Sequence, residues 1–438
     1  MPKHNLTARE FYGQISRFYT PLAIQAASQS MTYLLVGSIV ARGAFGTKGF
    51  GAFAQGLIML AFFGAVERGL IATGMMFAKS KSGFAVFRRL VLMVAVAIFA
   101  AQLASCFGPM RILFFRVILG LEGEYEEIAR MAVLTGIPMQ LAFLFRNISL
   151  VALFNIKKSA IANYATMIRV AATAMLAYVF PMYGLVGHLW GMLAMTVPVF
   201  GEAFLTMWFA RKHIANLTDK PGEETAPFNK QLYFTMPLSL GGMMLSASVF
   251  IVAAALAQTK PDPRLIAAIH YVVMGVANPL GFAALRMQAA VIAFPPAEYG
   301  RRRVALFAFG VGAVLVGLLL LFQIPAVARW YFCDVQRLDP ENLRLATGML
   351  LVMTLYPFLQ SLRGLTEGVA ALRHRPAAVF AGQVAYLVTM AVSLKYLLGC
   401  EWMPAHMMGA TAILVGIAAT MGTISIALRF KKIRRIEE

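Results

Sequence analysis

The chain has 438 residues, of which 60% are hydrophobic and 13% charged, with a formal net charge of +20. A mean hydropathy of +0.72 excludes a soluble domain of this length and places the chain among polytopic membrane proteins. The basic residues fall in short juxtamembrane runs, so lipid headgroups and topology account for them and nucleic acid is not expected as a partner.

Twelve apolar spans, each long enough for a transmembrane helix of ~20 residues, predict an all-α polytopic bundle. In chain order they run about 15–41, 49–78, 88–117, 126–154, 159–181, 184–210, 230–258, 264–294, 303–327, 343–371, 376–398 and 404–428. The first span follows the polar stretch MPKHNLTARE and is too long for a cleaved signal peptide. It carries Pro21 and no acid. The second contains FFGAVERGL, with Glu67 and Arg68 side by side. Adjacent helical residues project about 100° apart, so the two cannot face one surface. Either Arg68 lines a cavity while Glu67 pairs within its lobe, or the reverse.

Span four carries Pro138 and Arg146, span five Arg169, and span six Pro198 and Glu202. Arg146 and Arg169 fall at equal depth, so two like charges there need an anion or Glu202 between them. Residues 211–229, RKHIANLTDKPGEETAPFN, form the only long polar stretch. They divide an N-lobe, 1–210, from a C-lobe, 230–438. Span seven holds Pro237 and Gly241-Gly242, again without an acid. Span eight holds Pro279 and Arg286, with no acidic neighbour within a turn. In span ten, Pro357 precedes Arg363 and Glu367, an i,i+4 pair suited to a salt bridge. Proline removes a backbone hydrogen bond and bends a helix, so Pro21, Pro237 and Pro279 are candidate gating kinks.

Five arginines therefore lie about 15–20 Å into the bilayer: Arg68, Arg146, Arg169, Arg286 and Arg363. Ionised side chains at that depth must face water or pair inside the bundle. Only Glu67, Glu202 and Glu367 share the depth, and they are the candidates for proton or ion coupling. A net cationic interior suits an anion, and guanidinium matches carboxylate or phosphate bidentately. The five arginines are the candidate substrate-binding residues, Arg68 and Arg286 facing each other across a central cavity.

The halves repeat. QISRFYTPLAI at 14–24 is echoed by QLYFTMPLSL at 231–240, Arg68 by Arg286, Arg146 by Arg363, and Lys157-Lys158 by Arg373 and Arg375. Six spans per repeat is an even number, so the two share one orientation about an axis along the membrane normal. Lys79, Lys81, Arg88, Arg89, Lys157, Lys158, Arg211, Lys212, Arg301–Arg303, Arg373, Arg375 and the RFKKIRR tail load one side. Glu122, Glu124, Glu126, Glu127, Asp334, Asp339 and Glu341 load the other. The positive-inside rule then puts both termini in the cytoplasm of a plasma or inner membrane. Cys106, Cys333 and Cys400 lack metal-type spacing and are expected as isolated thiols, although a disulfide between two of them is open. His188 and His270 are expected as hydrogen-bonders near helix ends. No metal, cofactor or catalytic set is indicated.

Two six-helix lobes about a cytoplasmic linker resemble the multidrug/oligosaccharidyl-lipid/polysaccharide exporter (MOP) superfamily. Within it, FFGAVERGLIATGMMFAKSK at 62–81, PLSLGGMM at 237–244, NPLGF and AFPPA, and PFLQSLRGLTEGVAALRHRP at 357–376 are similar to helices of the progressive ankylosis family. The resemblance implies a MATE-like, V-shaped fold and export of a multivalent anion such as citrate, a nucleotide or pyrophosphate. Two further readings stay open: a flippase for lipid-linked, phosphate-bearing glycans, and a cation-coupled multidrug exporter, which the acid-free first and seventh spans disfavour. No GxxxxGK[ST] loop occurs, nor a nucleophile–base set, so an ATP-driven pump and an enzyme are not expected. The expected form is a monomer in contact with membrane lipids and a small-molecule anion.

Overall fold

The computed structural model describes residues 6–219, 225–260, 262–336, 338–400 and 402–429. The tail from Phe430 onward, counted above toward the basic face, lies outside them. The first half contains α1 (Ala8–Ala41), α2 (Gly46–Gly64), α3 (Glu67–Phe77), α4 (Lys81–Ser105), α5 (Gly108–Arg111), α6 (Gly123–Asn155), α7 (Ser159–Met182) and α8 (His188–Ala215). The second contains α9 (Phe228–Leu256), α10 (Pro263–Leu285), α11 (Met287–Ala293), α12 (Pro296–Tyr299), α13 (Arg301–Leu320), α14 (Pro325–Ala328), α15 (Leu343–Met353), α16 (Leu355–Leu372), α17 (Pro376–Leu398) and α18 (Ala405–Arg429). No strand occurs among the described residues. In hydrocarbon every backbone polar group must be satisfied within its segment, so apolar runs of this length form helices. Among the described residues, eleven segments are long and apolar enough to cross a membrane, three of them containing two α-helices each: α2–α3, α10–α11 and α15–α16. α1, with 34 residues, is a further candidate by length.

Helix starts follow local chemistry. Thr7 and Glu10 form a reciprocal capping box before α1, Glu10 N–H to Thr7 Oγ1 at 3.3 Å and Thr7 N–H to Glu10 Oε2 at 2.9 Å. Ser80 caps α4 through the N–H of Gly83, and Asp262 caps α10 through those of Arg264 and Leu265.

The chain forms two compact units, residues 20–246 and residues 1–19 with 247–438. In the first, α6 packs against α2 and α8, and α7 against α8. In the second, α16 packs against α10, α11 and α13, and α17 against α18. The changeover falls inside helices and not at the polar linker. α1 passes from one unit to the other between Tyr19 and Thr20, next to Pro21, and α9 does so between Ser246 and Ala247. Packing explains the first exchange. Phe11 and Phe18 stack with Phe294 at 6.3 and 5.8 Å, and Tyr19 meets Phe307 at 5.7 Å.

The internal repeat recurs in local geometry with a constant spacing of 217 positions. Seven-residue π-helical segments follow α5 and α14, at Ile112–Ile118 and Arg329–Val335. Among the described residues, Lys157 and His374 are the two non-glycine residues with positive φ, at 58° and 52°. Each closes the same turn: Lys158 N–H to Leu153 O and Arg375 N–H to Ala370 O. His374, and not Arg373, thus stands opposite Lys157.

Candidate functional site

The five deep arginines separate into two kinds. Arg146, Arg169 and Arg363 are buried, at 2%, 3% and 0% exposure. Arg68 and Arg286 are half-buried.

In the 20–246 unit, Glu202 on α8 lies between Arg146 on α6 and Arg169 on α7. Its carboxylate is 2.9 Å from Arg146 Nη1 and 3.0 Å from Arg169 Nε, ion-pair contacts that fall off the line of a hydrogen bond. Thr166 Oγ1 also donates to Glu202 Oε1, and Gln25 Nε2 donates to Thr166 at 2.9 Å. The position between the two like charges is therefore filled by the protein's own carboxylate. Arg146 Nη2 donates to Glu67 Oε1 at 3.0 Å. The Phe143 ring lies 4.7 Å from the Arg146 guanidinium carbon and 5.7 Å from that of Arg169, within cation–π range. Two arginines and two glutamates balance, as a low-dielectric interior requires.

In the other unit, Arg363 Nε donates to Glu367 Oε1 at 2.7 Å along one face of α16. Its Nη2 donates to Gln383 Oε1 at 2.6 Å, and Gln383 Nε2 returns to Glu367 Oε1 at 2.8 Å. Tyr386 sits with its ring 5.7 Å from the guanidinium. Gln383 and Tyr386 escaped the sequence reading, which searched the spans for charge. They occupy the repeat positions of Thr166 and Arg169, 217 residues on, just as Arg363 occupies that of Arg146. The same three positions thus contribute to a polar cluster in each half, with the arginine kept at the first, the other two residues changed, and the carboxylate drawn from a different place.

The charge balance deep in the spans is then simple. Arg68, Arg146 and Arg169 stand against Glu67 and Glu202 in one unit, and Arg286 and Arg363 against Glu367 in the other. Among these residues each unit has one arginine more than it has glutamates.

Arg68 and Arg286 both sit where a span breaks. The helix of span two is interrupted at Ala65–Val66, just before Glu67 and Arg68, and that of span eight at Arg286 itself. At the first break Ser239 Oγ of α9 donates to Val66 O at 3.0 Å, and Thr73 and Thr235 share a hydroxyl contact at 2.6 Å. A Cβ on Gly69 would lie 2.2 Å from Ser239 Oγ, so glycine lets α9 approach here. At the second break Tyr19 of α1 donates to Ala283 O at 2.8 Å.

Pro21, Pro237 and Pro279 all lie inside helices, in α1, α9 and α10. His270 departs from expectation: it is 4% exposed, seven residues into α10, beside Gly409, and its Nδ1 has no hydrogen-bond partner among the described residues. Cys106, Cys333 and Cys400 are free thiols. A groove of about 420 Å³ lined by Leu35, Ser38, Arg42, Ala177, Tyr178 and Met182 involves none of the five deep arginines.

No protein-family model and no curated protein sequence matches the chain. Solved structures match it in fold. A multidrug resistance MATE family transporter of the MOP superfamily, in an outward-facing conformation, is 18% identical with a TM-score of 0.69, covering 95% of each chain. A MOP superfamily transporter from Pyrococcus furiosus, described with a binding pocket of reversed polarity suggesting a different function, is 17% identical with a TM-score of 0.68, covering 95% of this chain and 94% of that one. A eukaryotic MATE transporter is 14% identical with a TM-score of 0.69, covering 97% of each. With its many apolar helices, the chain is an integral multi-pass membrane protein with the fold of MATE transporters of the MOP superfamily.

Proposed function

We propose that the protein is an alternating-access exporter of a small multivalent organic or phosphorylated anion, with Arg68 and Arg286 as its principal substrate contacts. The observation that carries this is the surplus of one arginine over glutamate among the deep residues of each unit, together with a half-buried arginine at or beside a helix break in each. A multivalent anion suits such arginines, whose guanidinium matches carboxylate or phosphate bidentately. Arg146, Arg169 and Arg363 are engaged with carboxylates and serve to hold each unit together. Resemblance to the progressive ankylosis family supports citrate, a nucleotide or pyrophosphate as the substrate class. The neighbour whose reversed pocket polarity suggests a different function supports a fold that serves more than one kind of substrate.

Glu67, Glu202 and Glu367 are each within ion-pair distance of an arginine. A coupling cation would have to displace a guanidinium, so transport runs on the anion's own gradient and the membrane potential. With both termini cytoplasmic, an interior-negative potential favours expulsion by roughly 2.3 kcal/mol per charge per 100 mV. Pro21, Pro237 and Pro279 supply the bends, and the protein acts as a monomer in its lipid.

The test is thermal stabilisation of the purified protein by citrate, ATP, pyrophosphate, an undecaprenyl-pyrophosphate analogue and cationic dyes, followed by flux in proteoliposomes. Stabilisation by small anions that is lost in Arg286→Gln and in Arg68→Gln is the expected result. A response to the lipid-linked pyrophosphate alone would make the protein a flippase. A response to cationic dyes alone, driven by a proton or Na⁺ gradient, would make it a multidrug exporter.

A further inference from the structure

We infer that Tyr19 and Ser239 are positioning residues, each setting the helix break from which one anion-binding arginine projects: Tyr19 for Arg286 and Ser239 for Arg68. The inference rests on the proposed role of those two arginines and adds how they are held.

At the first break, the Val66 carbonyl accepts the N–H of Gly69 at 3.1 Å and the Ser239 hydroxyl at 3.0 Å. Arg68 lies between the two residues that this pair of bonds joins. At the second break, the Ala283 carbonyl accepts the N–H of Arg286 itself at 3.1 Å and the Tyr19 hydroxyl at 2.8 Å. An interrupted α-helix has carbonyls that lack the usual partner four residues on, and in an apolar surround each must find another donor. Here the donor is a side chain, buried in both cases: Ser239 at 6% exposure and Tyr19 at 5%.

The two donors lie close to the proline of their helices, on opposite sides of it. Tyr19 precedes Pro21 in α1, and Ser239 follows Pro237 in α9. Each of these helices is shared between the units, and each donor sits on the portion that packs against the arginine's own unit. An arginine at a break has its Cα direction set by the few residues that end one helix and start the next. Fixing the carbonyl beside it fixes the arc its guanidinium can sweep. Misplacing a charged contact by about 1 Å is enough to lose much of its effect. The proline-bearing helices α1 and α9 thus carry the settings for the two arginines.

The test is a set of double-mutant cycles on the full-length protein, with pyrophosphate and citrate affinity measured by isothermal titration in detergent. Arg68→Gln and Arg286→Gln come first; if neither weakens binding, the exporter proposal fails and this inference falls with it. Given that both weaken it, Tyr19→Phe and Ser239→Ala are each expected to raise Kd about five- to tenfold. Ser239→Thr, which keeps the hydroxyl, is expected to restore affinity. The pairing is the decisive readout. Tyr19→Phe should have little further effect in Arg286→Gln but its full effect in Arg68→Gln, and Ser239→Ala the converse. A merely structural role predicts equal losses in every background, and that result, or unchanged affinity in Tyr19→Phe and Ser239→Ala, overturns the inference while leaving the exporter proposal standing.

Discussion

Replacing Glu202 by glutamine keeps the side chain's size and removes one charge from the interior of the 20–246 unit. Its carboxylate is wholly buried and lies 2.9 and 3.0 Å from two guanidinium groups. At an effective dielectric constant of ~20, each contact at that distance is worth about 5–6 kcal/mol before desolvation. Much of this only offsets the cost of burying the charges, and breaking a buried ion pair by removing one partner typically costs about 3–5 kcal/mol. Arg146 retains Glu67 at 3.0 Å, so the loss in Glu202→Gln should fall within that range and not double it. Reversible unfolding in mixed detergent–SDS micelles, followed by the fluorescence of Trp190 and Trp208 on α8, would read the change. The charge-balanced double variant Glu202→Gln with Arg169→Met should recover about half of the loss, because it leaves no added charge behind. A single-variant loss under about 1 kcal/mol would refute the argument, as would a double variant equal to the sum of its singles, since the arginines would then owe nothing to Glu202.

Other outcomes follow from the same geometry. Gln383→Leu strips Arg363 Nη2 and Glu367 Oε1 of their shared amide, and should cost about 1.5–3 kcal/mol in the same unfolding assay. Gly69→Ala should cost about 1–3 kcal/mol, because its Cβ would meet the backbone N of Ser239 and O of Thr235 at 2.8 Å. Gly201→Ala, with nothing within 4 Å, should be neutral or stabilising by up to about 1 kcal/mol, and a reversed order of the two would count against the packing described. Asp219 in the linker accepts the N–H and hydroxyl of Ser82 at 2.9 and 2.7 Å, and those bonds, the backbone one foremost, hold its carboxyl below the usual range. Because the folded-state pKa is depressed, the tether is fully present above the unfolded value near ~3.9. It is lost as pH falls through the folded value, so exchange of the Ser82 amide should accelerate only in that acid window and at all pH values in Asp219→Asn.

Much of the fold was legible because its determinants are compositional. Apolar length marks the spans, and the matched offsets of Pro21 with Pro237 and Arg146 with Arg363 mark the repeat. Equal depth on neighbouring helices was enough to bring Glu202 between Arg146 and Arg169. The helix breaks were not legible, since neither Ala65–Val66 nor Arg286 has a proline at the break itself and the hydroxyls that donate to their carbonyls come from distant α9 and α1. Gln383 and Tyr386 were missed because uncharged side chains raise no alarm in a hydropathy profile. Their positions, 217 residues after Thr166 and Arg169, were the available signal. The changeover within α1 was hidden for a related reason: a polar linker marks where the chain is exposed to water, not which residues touch.

Joint ownership of α1 and α9 also fixes an order of assembly. The ribosome delivers Phe11, Phe18 and Tyr19 first, yet their partners Phe294 and Phe307 emerge nearly the length of two domains later. At about 5–20 residues per second the opening segment waits roughly 15–60 s for its place. The 20–246 unit closes first, once the start of α9 leaves the insertion machinery, and the other can close only when both ends of the polypeptide are present. Severing the gene at the polar linker would therefore not yield two self-sufficient halves. Each fragment would lack the stretch that the other carries, and the two would have to find each other in the bilayer to become whole.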